Sequence, residues 1–119
     1  MFILDDGEEP LIRDWPVVIS KPVDGGRVQK HEVTMDFVLL SQREIDDQVE
    51  ASRASGESAD VDILHRVLRG MGGFKDHAGN PIPYSEEMRD KVLRIPYVRI
   101  AFINAYFQAA AGQKAARKN

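Results

Sequence analysis

Few side chains in this 119-residue sequence invite chemistry, and they are scattered. Asp76 and His77 stand side by side in "KDHAGNPIPY", and a carboxylate beside an imidazole is the pairing that general acid–base catalysis uses. No nucleophile motif accompanies them, and neighbouring side chains in a turn usually point apart. The expectation is a turn; a small hydrolase or transferase built on Asp76 and His77 is the enzymatic alternative. His31, His65 and His77 fall on different segments, never at the close spacing from which one element ligates a metal. The glycines of "GMGG", 70 to 73, suggest a phosphate loop but lack the Lys-Ser/Thr ending and the G-x-G-x-x-G order. The run from Asp76 to Gly79 lacks the alternating oxygen donors and closing glutamate of a calcium loop. No catalytic residue, metal or cofactor is therefore assigned, and "GMGG" is read as the end of a helix.

The elements that would position these residues follow from periodicity. Trp15, Val17 and Ile19 alternate, as do Val33, Met35, Phe37 and Leu39, which predicts two half-buried strands. Asp24-Gly25-Gly26 between them can take the positive φ angles of a tight reversal, giving an antiparallel hairpin. A lone hairpin is marginal in water, so its apolar face must pack on the segments downstream.

Those segments read as helices. Ser41 with Glu44 is a capping box opening a helix over about 42–53, whose thin apolar stripe is Ile45 and Val49. The polar "ASGESAD" is a connection. Asp60 is the expected cap of a second helix carrying Val61, Leu64, Val67 and Leu68 on one face. Ser85 opens a third, with Glu86 and Glu87 favouring its amino end and Met88 and Val92 buried. Pro96 sets the first turn of a fourth, through about Ala111, with Val98, Phe102, Tyr106 and Ala109 in one stripe. The fold class expected is α+β: an antiparallel β-hairpin packed against about four helices, with a mostly helical carboxyl-terminal half. An acidic segment (1–14) precedes one globular domain (15–111), and a flexible basic tail (112–119) follows.

Composition narrows the function. Sixteen basic against nineteen acidic residues leave a net charge of −3, which argues against nucleic acid as a partner. The absence of cysteine excludes disulfides and thiolate zinc sites and fits the cytoplasm. "MFILDDGEEP" has neither the basic start nor the apolar run of a signal peptide, and no apolar stretch approaches the ~20 residues of a membrane helix. A soluble protein is expected. Tyr97, Phe102, Tyr106 and Phe107 exceed what one narrow core stripe needs, because residues 106 and 107 lie about 100° apart around a helix. Either the last helix is nearly enclosed or one edge meets a partner.

"DHAGNPIP" reads physically as a turn and an extended arm, Gly79 and Asn80 tolerating positive φ while Pro81 and Pro83 hold the chain open until Ser85. In its setting, "VLRGMGGFKDHAGNPIPYSEEMRDKVLRIPYVRIAFINAYFQA", this stretch resembles the tail assembly chaperones of long-tailed (siphovirus-type) bacteriophages and prophages. The matching positions are Gly70, Asp76, Gly79, Asn80, Pro81, Pro83, Tyr84, Ser85, Leu93, Ile95, Pro96, Val98, Ala101 and Tyr106. Met71 stands where the family's pattern has an aromatic. The hairpin and "FVLLSQREID" extend the likeness to most of the chain from about Val17.

The resemblance implies a non-enzymatic chaperone of the host cytoplasm, absent from the mature virion. It would bind and solubilise the long helical tape measure protein and promote polymerisation of the tail tube protein around it, with self-association open. The expected contact surface is the outer edge of the last helix, Arg99, Ile103 and Phe107, with the basic tail residues Lys114, Arg117 and Lys118. A structural tail or head-tail connector protein retained in the particle is the alternative. The resemblance also implies a longer product made by a minus-one ribosomal slip, for which Lys118-Asn119 supply suitable residues.

Overall fold

The computed structural model describes residues 1–4 and 10–117. The acidic residues Asp5, Asp6, Glu8 and Glu9, and Lys118 with Asn119, lie outside the described residues. Strand β1 (Ile12–Val23) and strand β2 (Arg27–Phe37) form an antiparallel hairpin closed through Asp24-Gly25-Gly26. Gly25 (φ 79) and Gly26 (φ 75) take the left-handed backbone that the reversal requires. The alternation predicted from the sequence places Val17, Ile19, Val33, Met35 and Phe37 in the core, and the Trp15 ring meets Phe37 edge-on at 6.0 Å. Beyond this covered half, every residue from Ser20 to Glu32 is exposed.

The outer edge of β1 carries its own protection. Pro16 pairs with Thr34 and Pro22 with Val28, so both prolines occupy the same parity of the strand. Proline has no N–H to give to a neighbour and is tolerated where that position faces away from the ladder. Nearer its start β1 bulges between Ile12 and Trp15. There Asp14 has a φ of 54°, and its N–H donates to Asp36 Oδ1 at 2.9 Å. The short polar side chain of aspartate makes that backbone less unfavourable than a branched residue would.

One element departs from the sequence reading. "GMGG" does not end a helix: Leu68–Gly72 is a third strand, β3, antiparallel to β2 with Met71 opposite Met35 and Gly70 opposite Asp36. The glycines serve close approach. A Cβ on Gly70 would lie 2.7 Å from Asp36 Oδ2, and one on Gly72 2.8 Å from Thr34 Oγ1. Both distances are far inside van der Waals contact. Sheet order is β1-β2-β3.

Helix α1 (Gln42–Ser55) begins with the capping box expected from Ser41 and Glu44 and ends at Gly56 in the left-handed region. Helix α2 (Ala59–Val67) is capped by Ser58, not Asp60, through a 3.4 Å bond from Val61 N–H to its hydroxyl. Its buried residues are Ile63, Leu64 and Val67, while Leu68 is already in β3. A buried hydroxyl joins these two helices, Ser52 donating to Asp62 Oδ2 at 2.6 Å. Helix α3 (Glu86–Leu93) starts at Ser85 as expected, with Met88 and Leu93 buried. Helix α4 (Pro96–Ala110) opens on Pro96 and packs against β1, α2 and α3. The result is an α+β fold whose core lies between one face of the sheet and the helices. Among the described residues no helix is long and apolar enough to cross a membrane.

Candidate functional site

The Asp76 carboxylate is engaged by its own loop. Oδ1 accepts from the backbone N–H groups of Ala78 and Asn80, each at 2.9 Å, and Gly79 N–H closes a turn onto Asp76 O at 3.0 Å with φ 83. Asp76 N–H donates to Asn80 O and Ile82 N–H to Phe74 O, so residues 74–82 form a miniature hairpin with Lys75 opposite Pro81. Aspartate serves this purpose because its short side chain reaches the backbone two residues ahead. No hydrogen bond or ion pair joins His77 to Asp76. Pro81 and Pro83 follow exposed, Tyr84 is half-buried, and Ser85 turns the chain into α3.

A second histidine does find an acid. His65 Nε2 lies 3.1 Å from Asp90 Oδ1, the same oxygen that accepts from Arg89 Nε at 3.1 Å. Sequence spacing could not reveal this pair, because its members lie on α2 and α3. A cleft of about 350 Å³ adjoins it, bordered by Val61, Leu93, Arg94 and Arg99. None of these supplies the nucleophile that a histidine–aspartate pair would activate. The pair acts as a polar joint between helices. Among the described residues no three metal-ligating side chains converge.

The last helix offers a different kind of site. Phe102 and Tyr106 are wholly enclosed, the Tyr106 ring meeting Phe37 edge-on at 5.8 Å. Leu40 N–H donates to the Tyr106 hydroxyl at 3.0 Å, and burial pushes that phenol above its ordinary value. Ile103, expected on the outer edge, is 4% exposed and belongs to the core. The helix has neighbours on two sides, so its buried arc is wider than one stripe and takes in 103. Arg99 is half-buried, its Nε enclosed without a hydrogen-bond partner among the described residues. The uncovered seam consists of Ile100 (48% exposed), Asn104, Phe107 (39%) and Gln108. Residues 100, 104 and 107 follow helical spacing and share one face. Beside them a groove of about 210 Å³ runs along Pro16, Val18 and Ser20 of β1. Lys114 and Arg117 are exposed beyond the helix, and Lys118 is outside the described residues.

No protein-family model, curated protein or solved structure matches this chain. The seam of α4 and the groove beside it are therefore assigned from their own chemistry. Two exposed apolar side chains interleaved with two amides, flanked by lysine and arginine, can take up a helix with an apolar stripe and release it again. Of the three residues expected on this edge, Phe107 lies on the seam, Arg99 is turned partly inward and Ile103 is in the core. Ile100 is the seam residue that the sequence reading missed. Its signal was present as position i−7 from Phe107.

Proposed function

We propose that this chain is a non-enzymatic assembly chaperone of the kind that serves the tails of long-tailed bacteriophages or prophages. It binds the long helical tape measure protein, keeps it soluble in the host cytoplasm, and yields it to the tail tube protein without remaining in the virion. The observation that carries this reading is the seam of α4, where Ile100 and Phe107 are exposed on a helix whose opposite face is locked into the core. A long amphipathic chain waiting for its tube aggregates unless its apolar stripes are covered, and a small rigid apolar edge covers such stripes reversibly. The pattern from Gly70 through Asp76, Gly79, Pro81 and Pro96 to Tyr106 supplies the family resemblance. The exposed cations Lys114 and Arg117 extend the surface toward acidic positions on the partner.

Co-expression with the long tape-measure-like reading frame of the same genome tests the proposal. The large protein is expected to move into the soluble fraction and to co-purify. A large protein whose solubility is unchanged contradicts it. Mass spectrometry of purified particles separates the alternative, because a tail or connector component is found there and an assembly chaperone is not.

A further inference from the structure

The cleft of about 350 Å³ beside the His65–Asp90 joint lies where α2, α3 and α4 meet, and its lining carries more positive than negative charge. Asp90 is the acid of that lining, and its Oδ1 already serves His65 Nε2 and Arg89 Nε, each at 3.1 Å. Arg94 and Arg99 border the same space, and among the described residues neither guanidinium makes a hydrogen bond or an ion pair. Two cations are therefore left without an acid, on a chain whose net charge is −3.

Arg99 is the stronger indication. It stands in the first turn of α4, half-buried, with Nε enclosed and without an acceptor. Enclosed N–H groups nearly always have a partner, and an unsatisfied one marks a place for a bound group or a water. Nε and the adjacent Nη of an arginine form a fork that matches the two oxygens of a carboxylate. Arg94, exposed just past the end of α3, adds the second cation. The lining also has an apolar part, buried Leu93 and half-buried Val61. The space far exceeds a bare oxyanion, given about 30 Å³ for each water-sized group, and so has room for a stem behind the charge. We infer that this cleft binds a carboxylate carried on an apolar stem, the carboxylate held by Arg99 and Arg94 and the stem lying against Val61 and Leu93. A small organic acid and the glutamate side chain of a protein partner both offer that chemistry.

The arginine Nε–H resonances of the full-length chain, followed by nitrogen-correlated NMR, test this. The probes are hexanoate, hexanamide, which keeps the stem without the charge, and inorganic phosphate, which keeps a charge without the stem. Hexanoate is expected to move the Arg99 Nε–H saturably and hexanamide to leave it in place, while phosphate binds about tenfold more weakly for want of buried methylenes. The Nε–H of Arg53, on the exposed face of α1, should not respond. Arg94→Gln, at an exposed position, should weaken hexanoate about tenfold by removing a charge-assisted contact, and Arg99→Gln should abolish saturation, with far-UV circular dichroism unchanged in both. An Arg99 resonance indifferent to hexanoate overturns the inference and leaves Nε to a water. So does an equal response to hexanamide, phosphate binding as tight as hexanoate, or Arg94→Gln titrating like wild type. A capped alanine peptide with one central glutamate separates the sources: tighter binding than hexanoate assigns the site to a protein side chain, weaker binding to a free organic acid. These outcomes are independent of any tape measure partner.

Discussion

The backbone N–H of Leu40 donates to the hydroxyl of Tyr106 at 3.0 Å, across 66 residues of sequence. This bond fixes the rotation of α4 about its axis. With Tyr106 held inward against Phe37, Phe107 is about 100° further round and faces outward. The contact that completes the core thereby also sets the exposed seam. Tyr106→Phe removes the acceptor but keeps the ring, and a loss of about 1 kcal/mol is expected in urea unfolding with an unchanged m-value. Because burial raises the phenol above 10.0, its contribution is full below that pH. As pH rises through the raised folded value, the contribution is lost.

Gly70 and Asp36 make a stability cycle. Gly70→Ala pushes a methyl group against the Asp36 carboxylate, and overpacking of this kind costs about 1–3 kcal/mol. Asp36→Ala alone frees the space but leaves Asp14 N–H without its acceptor. The alanine at 70 should therefore be better tolerated beside Ala at 36, a coupling that a double-mutant cycle by chemical denaturation reads directly. Equal losses in both backgrounds would show that something other than this contact requires the glycine.

The first turn of α1 should report on acid. Glu44 lies below its ordinary 4.5, first through the hydrogen bond from Ser41 N–H, then through the Ser41 side chain, with Arg66 adding a charge 3.3 Å away. A carboxyl whose folded value is depressed contributes stability above its unfolded value and loses it as pH falls through the folded one. Side-chain NMR titration should give Glu44 a midpoint below 4.5, and Ser41→Ala should move it upward. An unmoved midpoint would show that the Ser41 hydroxyl is dispensable and leave the shift to the backbone N–H of residue 41 and to Arg66.

What the sequence made legible was local. The hairpin turn at Asp24-Gly25-Gly26, the caps at Ser41 and Ser85, and Pro96 at the head of α4 each depend on residues within a few positions. Strand β3 was not legible, because five residues with two glycines carry no period, and their reason lies across the sheet in Thr34 and Asp36. The cap at Ser58 was missed because Asp60 is an equally good cap by type, and only the chain's entry angle chooses between them. Ile103 was misplaced because a helix stripe shows which residues are apolar, not how many neighbours the helix has. A cleft of about 470 Å³ bordered by Ile19, Lys21, Val33, Phe74 and Tyr97 joins β1, β2, the 74–82 loop and α4, four segments that no sequence window contains.

The revised seam separates stability from partner contact. Ile103→Asp buries a charge in the core and should unfold the protein, a loss above about 4 kcal/mol. Ile100→Asp and Phe107→Asp place charges at exposed positions and should each cost about 1 kcal/mol or less. Thermal unfolding followed by circular dichroism distinguishes the two classes.

The most direct measurement is therefore the soluble yield of the long tape-measure-like protein when co-expressed with wild type or with the folded Ile100→Asp/Phe107→Asp variant. High yield with wild type and aggregation with the variant is the result the seam predicts. Equal yields from both would contradict the assignment of α4's outer edge as the surface that binds the tape measure protein.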